Sequence, residues 1–425
     1  MSSEHEQTSS PIAMVGVLPP DLLERDRDRP FDPAPGLLER RDAPAVAPVE
    51  LRNGARAWLV TGFEEARAVL ADPRFSSDRV RHRDATQLGP GESGGTVPDA
   101  PPPGERTDGM FVFMDPPEHT RLRSLLVGQF TVRRMRALED RLTEIAVEHV
   151  EAMRAAGTTA DLVPSYALPI PSLMICELLG VDYADRAEFQ ENSAVALNAA
   201  AAPEARAAAA GALYSFIAAL VARKRAHRDD DLLSGLAHDA DPALTDAQLI
   251  DVALVLLGAG HETTANMLGL GVYALLENPE QLAALRADPS LIDEAVEELL
   301  RFLSIIQLGV SRVATEDVEV GGVTIPAGDT VVVATPEVNR DPRHFPAPDH
   351  LDVHRERTPH LAFGHGIHQC LGQQLARIEM RVGLRELIAR LPDLRLAVPR
   401  EQIPLRNDML IFGVHALPVA WSEGS

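Results

Sequence analysis

The chain has 425 residues, of which 45% are apolar and 24% charged, and its formal charge is −23. This excess of acid excludes nucleic acid and anionic membranes as general partners, because both favour basic protein surfaces. Two cysteines do not make a disulfide framework and favour a reducing compartment. With a polar amino terminus and no apolar run of about 18 residues, we expect a cytoplasmic protein without a membrane partner.

The amino-terminal part of the chain is predicted to be irregular, with one hairpin. Residues 1–45 are rich in Pro, Asp, Glu and Arg and predict a loosely ordered tail, whereas we expect residues 46–425 to form a single domain. An Asn-Gly pair at 53–54 separates two stretches that contain apolar residues, which is the strongest short signal for a β-hairpin. Gly, Pro and Asp dominate residues 84–109 and predict a long loop.

The middle of the chain is predicted to be helical. From about residue 120 to residue 300, Ala, Leu, Glu and Arg dominate, and apolar residues recur at helical spacing. Asp115-Pro116-Pro117-Glu118 has the prolines and the carboxylate of a helix start. Thr245-Asp246-Ala247-Gln248 is a second start, and it begins a long helix that we expect to extend through Leu276.

The centre of this long helix reads Ala259-Gly260-His261-Glu262-Thr263-Thr264. Small residues open a groove in a helix, and a threonine hydroxyl can bond back to the backbone and bend it. A carboxylate followed by a hydroxyl could also supply protons to a ligand in such a groove. A packing glycine beside a solvated Glu262 and Thr263 would give the same residues.

After the helical part, the pattern changes. Glu298 and Arg301 lie at positions i and i+3 on one helix face, a spacing that is common in solvated surface pairs. Residues 318–333 alternate apolar and polar side chains around glycine turns, as short strands do. A proline-rich coil follows over 336–359.

The most informative segment is Phe363-Gly364-His365-Gly366-Ile367-His368-Gln369-Cys370-Leu371-Gly372, which precedes a predicted helix over about 371–390. The N–H groups and dipole at the start of that helix would stabilise a thiolate. The glycines leave room for a flat, bulky partner near the backbone. Such a loop suits a haem iron with one axial cysteine ligand. Taken alone, Cys370 could also be a small buried side chain beside an ordinary turn.

Five positions of this loop resemble the haem-binding loop of the cytochrome P450 family: Phe363, Gly364, Gly366, Cys370 and Gly372. The resemblance extends from about Leu51 to Trp421 and includes the centre of the long helix. It implies a mainly α fold with a smaller β-rich portion, in which haem lies between the long central helix and the cysteine-loop helix. It also implies that the cofactor is haem b with an axial thiolate from Cys370.

The resemblance assigns roles to further residues of this chain. Glu262 and Thr263 match the acid–alcohol pair that delivers protons, and Ala259 and Gly260 flank the oxygen site. Four residues match contacts to the haem propionates: His119, Arg123, Arg312 and His368. Three residues match a buried ion-pair network that retains fold and haem: Glu298, Arg301 and Arg355.

The family's reaction inserts one atom of dioxygen into a C–H or C=C bond. The stretches 161–179, 313–325 and 339–342 resemble an actinobacterial group whose members tailor macrolides, polyenes and other secondary metabolites. A bulky, mostly apolar substrate is therefore implied, with a xenobiotic or steroid-like substrate as the alternative. The low aromatic content of 4% predicts an aliphatic pocket, whose walls we assign to Val255, Ala259, Val310 and Ile411.

Electrons are expected from outside, because no nucleotide-binding glycine fingerprint or iron–sulfur cysteine set is found in the sequence. By resemblance, the donors are a ferredoxin and its reductase, which bind transiently to a monomeric protein. A basic patch on the cysteine side could bind an acidic ferredoxin, and its candidates are Arg340, Arg343, Arg377 and Arg381. Two other hypotheses are a haem-binding sensor and an enzyme that uses peroxide directly.

Overall fold

The computed structural model describes residues 17–78, 81–83, 95–96, 108–197, 201–308, 310–409 and 411–422. Within these ranges the α-helices are α1 (Pro20–Leu23), α2 (Pro35–Leu38), α3 (Phe63–Ala71), α4 (Glu118–Val127), α5 (Val132–Ala137), α6 (Glu139–Ala156), α7 (Pro169–Leu179), α8 (Arg186–Leu197), α9 (Pro203–Ala226), α10 (Leu232–Asp239), α11 (Asp246–Glu277), α12 (Pro279–Ala287), α13 (Ile292–Leu303), α14 (Thr335–Val338) and α15 (Gln373–Arg390). The strands are β1 (Val46–Glu50), β2 (Arg56–Val60), β3 (Phe75–Ser76), β4 (His82–Arg83), β5 (Gly95–Thr96), β6 (Thr159–Asp161), β7 (Val310–Ala314), β8 (Val318–Val320), β9 (Val323–Ile325), β10 (Thr330–Val333), β11 (Arg395–Leu396) and β12 (Pro418–Ala420). The predicted mainly α fold is confirmed, and most of the predicted loop over 84–109 lies outside the described residues.

The main sheet contains five strands in the order β1-β2-β10-β7-β3. β2 and β10 run parallel, and the other neighbours run antiparallel. The predicted hairpin is formed by β1 and β2, with Val46 opposite Val60 and Glu50 opposite Arg56. Its turn places Gly54 at φ 81°, a conformation that glycine adopts without strain. Smaller sheets pair β11-β12-β6, β4-β5 and β8-β9.

Helix α11 is the longest element of the helical part. It begins after Thr245, whose hydroxyl accepts from the N–H of Gln248 while the Gln248 side chain accepts from the N–H of Thr245, both at 3.1 Å. This reciprocal cap fixes the start that the sequence predicts. Helix α11 packs against α7, α9 and α15, and its apolar side chains join theirs in one core. The centre of α11 and the helix that follows Cys370 are therefore neighbours in space.

The expectation of a loosely ordered tail is wrong for residues 17–45. Leu22 is buried, and Arg25 is only 3% exposed. The Arg25 guanidinium donates to the backbone oxygens of Leu303 at 2.9 Å and Ser304 at 3.0 Å, at the end of α13. Charged residues and prolines dominate this segment in sequence, but a few leucines and one arginine are enough to attach it to the body of the protein.

Helix α9 is long and apolar enough to cross a membrane by length and composition, with a mean hydropathy of 1.6 over its best window. The expectation that no such run occurs is therefore wrong for this helix. Leu213, Ile217 and Leu220 are nevertheless buried, and α9 packs against α8, α10 and α11. We interpret α9 as a helix of the protein body whose exposed alanines raise its hydropathy.

Candidate active site

The cysteine loop folds back on itself immediately before α15. The Cys370 N–H donates to the carbonyl of Phe363 at 2.8 Å. Gly364 and Gly366 have φ angles of 70° and 72°, in the region that favours glycine. A side chain at position 366 would also place its Cβ 2.3 Å from the carbonyl oxygen of Leu70. Glycine is therefore required here both by conformation and by the neighbouring backbone.

Cys370 is exposed to a cavity of about 390 Å³ inside the protein. Burial raises the pKa of its thiol, whereas the N–H of Gly372 and the charges of Arg123 and Arg377 lower it. Phe363, Gly364, His368 and Gly372 line the same cavity. The other cysteine, Cys176, is fully buried and does not belong to the cavity lining.

The centre of α11 forms part of the cavity wall: Ala259, Gly260, Thr263 and Thr264 line it together with Cys370. The Thr263 hydroxyl donates to the carbonyl oxygen of Ala259 at 2.6 Å. Because the hydroxyl hydrogen is used in this bond, the oxygen lone pairs remain as acceptors for a group in the cavity.

Glu262 does not line the cavity. Its carboxylate forms an ion pair with Arg406 of the carboxyl-terminal segment, and both side chains are about 15% exposed. Arg406 also donates to the Oδ1 of Asn266 at 3.0 Å, and the Asn266 amide donates to the carbonyl of Glu262 at 2.8 Å. Arg406 lies far from α11 in sequence, and no motif identified it as a partner of this acid.

A second acid that sequence reasoning missed lines the cavity from α15. Glu379 is only 3% exposed, and burial raises its pKa to about 8, while a hydrogen bond from the Thr264 side chain opposes the shift. The two acids therefore differ in their surroundings. Glu262 is held by a cation outside the cavity, whereas Glu379 faces the cavity and is held near the same turn of α11 by a threonine.

The four predicted propionate contacts come together in one corner. Arg123, Arg312 and His368 line the cavity, and the ring centroid of His119 lies 4.1 Å from that of His368. Both ring nitrogens of His119 and Nε2 of His368 are buried with no hydrogen-bond partner in the described part of the chain.

The electrostatics of this corner favour an anion. Burial, together with the positive charges of Arg123 and Arg312, lowers the pKa of His119 to about 4. Burial, followed by the charges of Arg312, His119 and Arg123, lowers the pKa of His368 to about 2, against an opposing backbone hydrogen bond to Met114. Two buried carboxylates would satisfy the imidazole nitrogens and offset the arginine charges. The donors in this corner therefore fit the carboxylates of a haem.

Glu298 and Arg301 are almost fully buried on α13, and their side chains meet at 2.7 and 2.8 Å. Arg355 adds a bond to Glu298 at 3.0 Å. Arg301 also donates to the carbonyls of Asn339 at 3.0 Å and Pro348 at 2.9 Å. These bonds attach α13 to the coil that precedes the cysteine loop, so the pair is not a solvated surface pair.

Three of the four predicted pocket residues line the cavity: Val255, Ala259 and Val310. The prediction of Ile411 requires correction, because Ile411 is not part of the cavity lining, whereas its β-bridge partner Ile306 is. The expected aliphatic character is also wrong in part. Although aromatic residues are scarce in the sequence, four of them line this cavity: Phe111, Phe113, Phe130 and Phe363.

The predicted basic patch is weaker than its sequence suggests. Arg340 is 0% exposed and donates to the carbonyl of Phe302, so it cannot meet a partner protein. Arg343, Arg377 and Arg381 are all paired with carboxylates of this chain. Arg377 and Arg381 do line a second, smaller cleft, which also includes exposed Arg136.

Comparisons with known proteins agree over nearly the whole chain. The sequence profile of the family described as Cytochrome P450 matches residues 206–420. Cytochrome P450-SU2 of Streptomyces griseolus is 47% identical over 410 residues, which are 95% of this chain and 98% of that protein. The crystal structure of Rif16 is 53% identical, with a TM-score of 0.82, and the match covers 95% of this chain and 100% of that one. The crystal structure of CYP105P1 in complex with filipin I is 43% identical, with a TM-score of 0.84, and the match covers 94% and 98%.

These matches, together with a cavity that contains both the cysteine and the threonine, define the class as haem-thiolate monooxygenases. The chain belongs to the cytochrome P450 family. Its cofactor is haem with a cysteine thiolate as axial ligand, and its activity is that of an oxygenase.

Proposed function

We propose that Cys370 is the axial ligand and that the enzyme inserts one oxygen atom into a bulky, mostly apolar substrate held against the centre of α11. The observation that carries this proposal is a single cavity that has Cys370 and Thr263 in its lining and mainly apolar side chains around them. Bound haem supplies the iron and thiolate chemistry that cleaves dioxygen and oxidises the substrate.

The protein holds this cofactor by its thiolate and by its carboxylates. His119, Arg123, Arg312 and His368 neutralise and bond the propionates, since their donors converge on one corner of the cavity. Glycines 364 and 372 keep side chains away from the space beside Cys370. Ala259 and Gly260 do the same on the opposite helix, where a larger side chain would reduce the space for dioxygen.

Thr263 accepts a hydrogen bond from a protonated group in the cavity. Its hydroxyl hydrogen is held by the carbonyl of Ala259, so its lone pairs are directed by the helix rather than by solvent. Glu262 is the acid that exchanges protons with solvent, and its ion pair with Arg406 positions it until it turns toward the cavity. Delivery of protons thus depends on a hydroxyl inside the cavity and a carboxylate next to it in sequence.

The test of this assignment is the substitution Thr263→Ala. We expect it to keep haem bound but to divert electrons from product to hydrogen peroxide, because the acceptor on α11 is lost. Product, peroxide and consumed NADPH are measured for each turnover. Thr263→Ser keeps the hydroxyl and is the matched control. A fully coupled Thr263→Ala enzyme would contradict the proton-relay role.

The substrate class follows from the walls of the cavity. The cavity lining includes the apolar side chains of Phe111, Ile175, Val255 and Ile306. The substrate is therefore oriented mainly by the shape of the cavity and by few polar contacts. One relative with a similar fold has been crystallised with filipin I. We propose a macrolide, polyene or comparable secondary metabolite. A low-spin to high-spin shift of the haem spectrum on titration identifies the compound, and a response confined to steroid-like or foreign compounds would favour the alternative substrate class.

Electrons are proposed to come from a ferredoxin and its reductase in the cytoplasm. The cleft beside the start of α15 has an excess of positive charge, because its lining contains four arginines, including Arg377 and Arg381, and the two carboxylates of Asp293 and Glu297. Turnover supported by ferredoxin and reductase is compared with turnover supported by hydrogen peroxide alone. Equal or higher turnover with peroxide would contradict the proposed electron source.

A further inference from the structure

Ser77 is a polar residue in the cavity lining that no motif singled out. It directly follows β3, which pairs antiparallel with β7 so that Phe75 lies opposite Ala314 and Ser76 opposite Val313. One further step along the same register places Ser77 opposite Arg312. Residues opposite each other in an antiparallel pair project from the same face, and both of these residues line the cavity.

The backbone at Ser77 is fixed by a carboxylate from another element. Asp115 accepts the N–H of Ser77 at 2.8 Å and the hydroxyl of Ser76. The Ser76 oxygen in turn accepts the N–H of Asp78 at 3.0 Å. The carbonyl of Asp115 accepts the N–H of His119 at 3.0 Å, so one residue connects Ser77 to the start of α4. The Ser77 hydroxyl is therefore attached to a rigid segment.

This hydroxyl has no partner in the described part of the chain. Ser77 is 6% exposed, and its Oγ is buried without a hydrogen bond. A buried hydroxyl is normally paired, so an unpaired one on a rigid segment indicates a ligand. The nearby side chains of the lining carry positive charge, from Arg123 and Arg312, and the ligand is therefore expected to be an anion.

We propose that the Ser77 hydroxyl donates a hydrogen bond to the haem propionate that Arg312 binds. This inference rests on the proposed haem site and adds one residue to it. Ser77 is a cofactor-binding residue in this scheme, and Asp115 positions it. The hydroxyl is a small, neutral hydrogen-bond donor. A third positively charged side chain at this position would crowd and repel the two arginines.

The test uses Ser77→Ala in the intact ferric holoenzyme. We expect haem to transfer to excess apomyoglobin roughly tenfold faster than from the parent enzyme, because a hydrogen bond to a charged group is lost. We also expect a shift of the propionate bending mode in the resonance Raman spectrum, which a merely structural role of Ser77 would not produce. Ser77→Thr keeps the hydroxyl and should retain slow haem release and the parent frequency.

Ser193→Ala is the control for loss of a buried hydroxyl away from the cavity, since Ser193 is 0% exposed and donates to Phe189. It should leave haem release and the propionate mode unchanged. The ferrous carbon monoxide spectrum of Ser77→Ala should still show thiolate ligation. If the parent enzyme itself showed no thiolate spectrum, the haem-thiolate site would be contradicted, independently of Ser77. Unchanged haem release and an unchanged propionate mode in Ser77→Ala would overturn the role of Ser77. A change confined to substrate affinity would overturn it as well, by placing the hydroxyl on the substrate.

Discussion

The two walls of the cavity are built in different ways. On the cysteine wall, the hydrogen bond that closes the loop is short in sequence, because the N–H of Cys370 donates to the carbonyl of Phe363. On the α11 wall, the polar groups interact with residues that are remote in sequence. Glu262 forms an ion pair with Arg406, and Thr264 forms a hydrogen bond with Glu379. The proposed metal ligand thus depends on local structure, whereas the proposed proton-handling groups depend on tertiary packing.

The largest effect is expected at the cysteine wall. Cys370→Ala removes the proposed axial ligand and should abolish both the thiolate spectrum of the ferrous carbon monoxide complex and the activity. Cys176→Ala is the matched control, because Cys176 is fully buried on α7 outside the cavity lining and should leave the spectrum unchanged. An intact thiolate spectrum in Cys370→Ala would overturn the assignment of the ligand.

Arg301→Ala tests the buried ion pair that attaches α13 to the coil before the cysteine loop. It leaves the buried carboxylate of Glu298 with the N–H of Asp352 and with Arg355 as its remaining cation, and removing one partner of a buried ion pair costs about 3–5 kcal/mol. The free energy of unfolding in urea should fall by that amount, with loss of haem.

A pair with the same i, i+3 spacing serves as the control for Arg301→Ala. Glu151 and Arg154 meet at 3.0 Å but are 43% and 35% exposed. Because exposed pairs contribute about 0–1 kcal/mol, Arg154→Ala should have a small effect. Equal losses of stability in the two variants would show that burial of the Glu298 pair does not matter.

This contrast explains how much of the site the sequence predicts. The glycines and Cys370 follow each other along the chain, so their chemistry can be recognised without the fold. Arg406 stands in a segment without helical or strand periodicity, and only the fold brings it to Glu262. One feature of the sequence could have identified Glu379. It is an acidic residue between the apolar residues Ile378 and Met380, in the part of the helix that is buried.

The same distinction explains the errors. The tail over 17–45 is packed because Arg25 meets carbonyls almost 280 residues away, a contact that composition does not reveal. Ile411 lies outside the cavity lining although its bridge partner Ile306 belongs to it, and the position of this bridge relative to the cavity is set by the fold. The prediction that Arg340 belongs to a basic surface patch fails because its guanidinium donates to the carbonyl of Phe302 in the interior.

Arg406→Ala tests the remote partner on the α11 wall. The variant should lose about 1.5–3 kcal/mol of unfolding free energy, the usual contribution of hydrogen bonds to charged groups. Glu262 is then no longer held by its cation, so the partition of electrons between product and peroxide should change while the thiolate spectrum stays intact.

Arg400 provides the control for Arg406→Ala, because it lies in the same segment, is 44% exposed and contacts Glu401 at 3.3 Å. Arg400→Ala should change stability by less than about 1 kcal/mol and leave coupling unaltered. If Arg406→Ala matched Arg400→Ala in both measurements, the α11 wall would not depend on its remote cation.

The last expected effect concerns Glu379 and appears only as a dependence of stability on pH. Burial raises its folded-state pKa from the ordinary 4.5 to about 8, so between these values the folded protein keeps a proton that the unfolded chain releases. The resulting contribution to stability is complete below pH 4.5 and is lost as the pH rises through about 8. Glu379→Gln cannot ionise and lacks this contribution. Urea unfolding of both proteins across this range should therefore show a steeper decline for the parent enzyme.

Glu401→Gln is the control for this measurement, since the Glu401 side chain is 63% exposed and should leave the slope with pH unchanged. Parallel curves for the parent enzyme and Glu379→Gln would mean that Glu379 is ionised in the folded state. In that case the hydrogen bond from Thr264 would outweigh burial, and the cavity would hold a second carboxylate rather than a neutral acid. A neutral Glu379 can donate a proton toward Thr264, whereas an ionised one can only accept, so the slope decides whether Glu379 on α15 could serve as a proton donor.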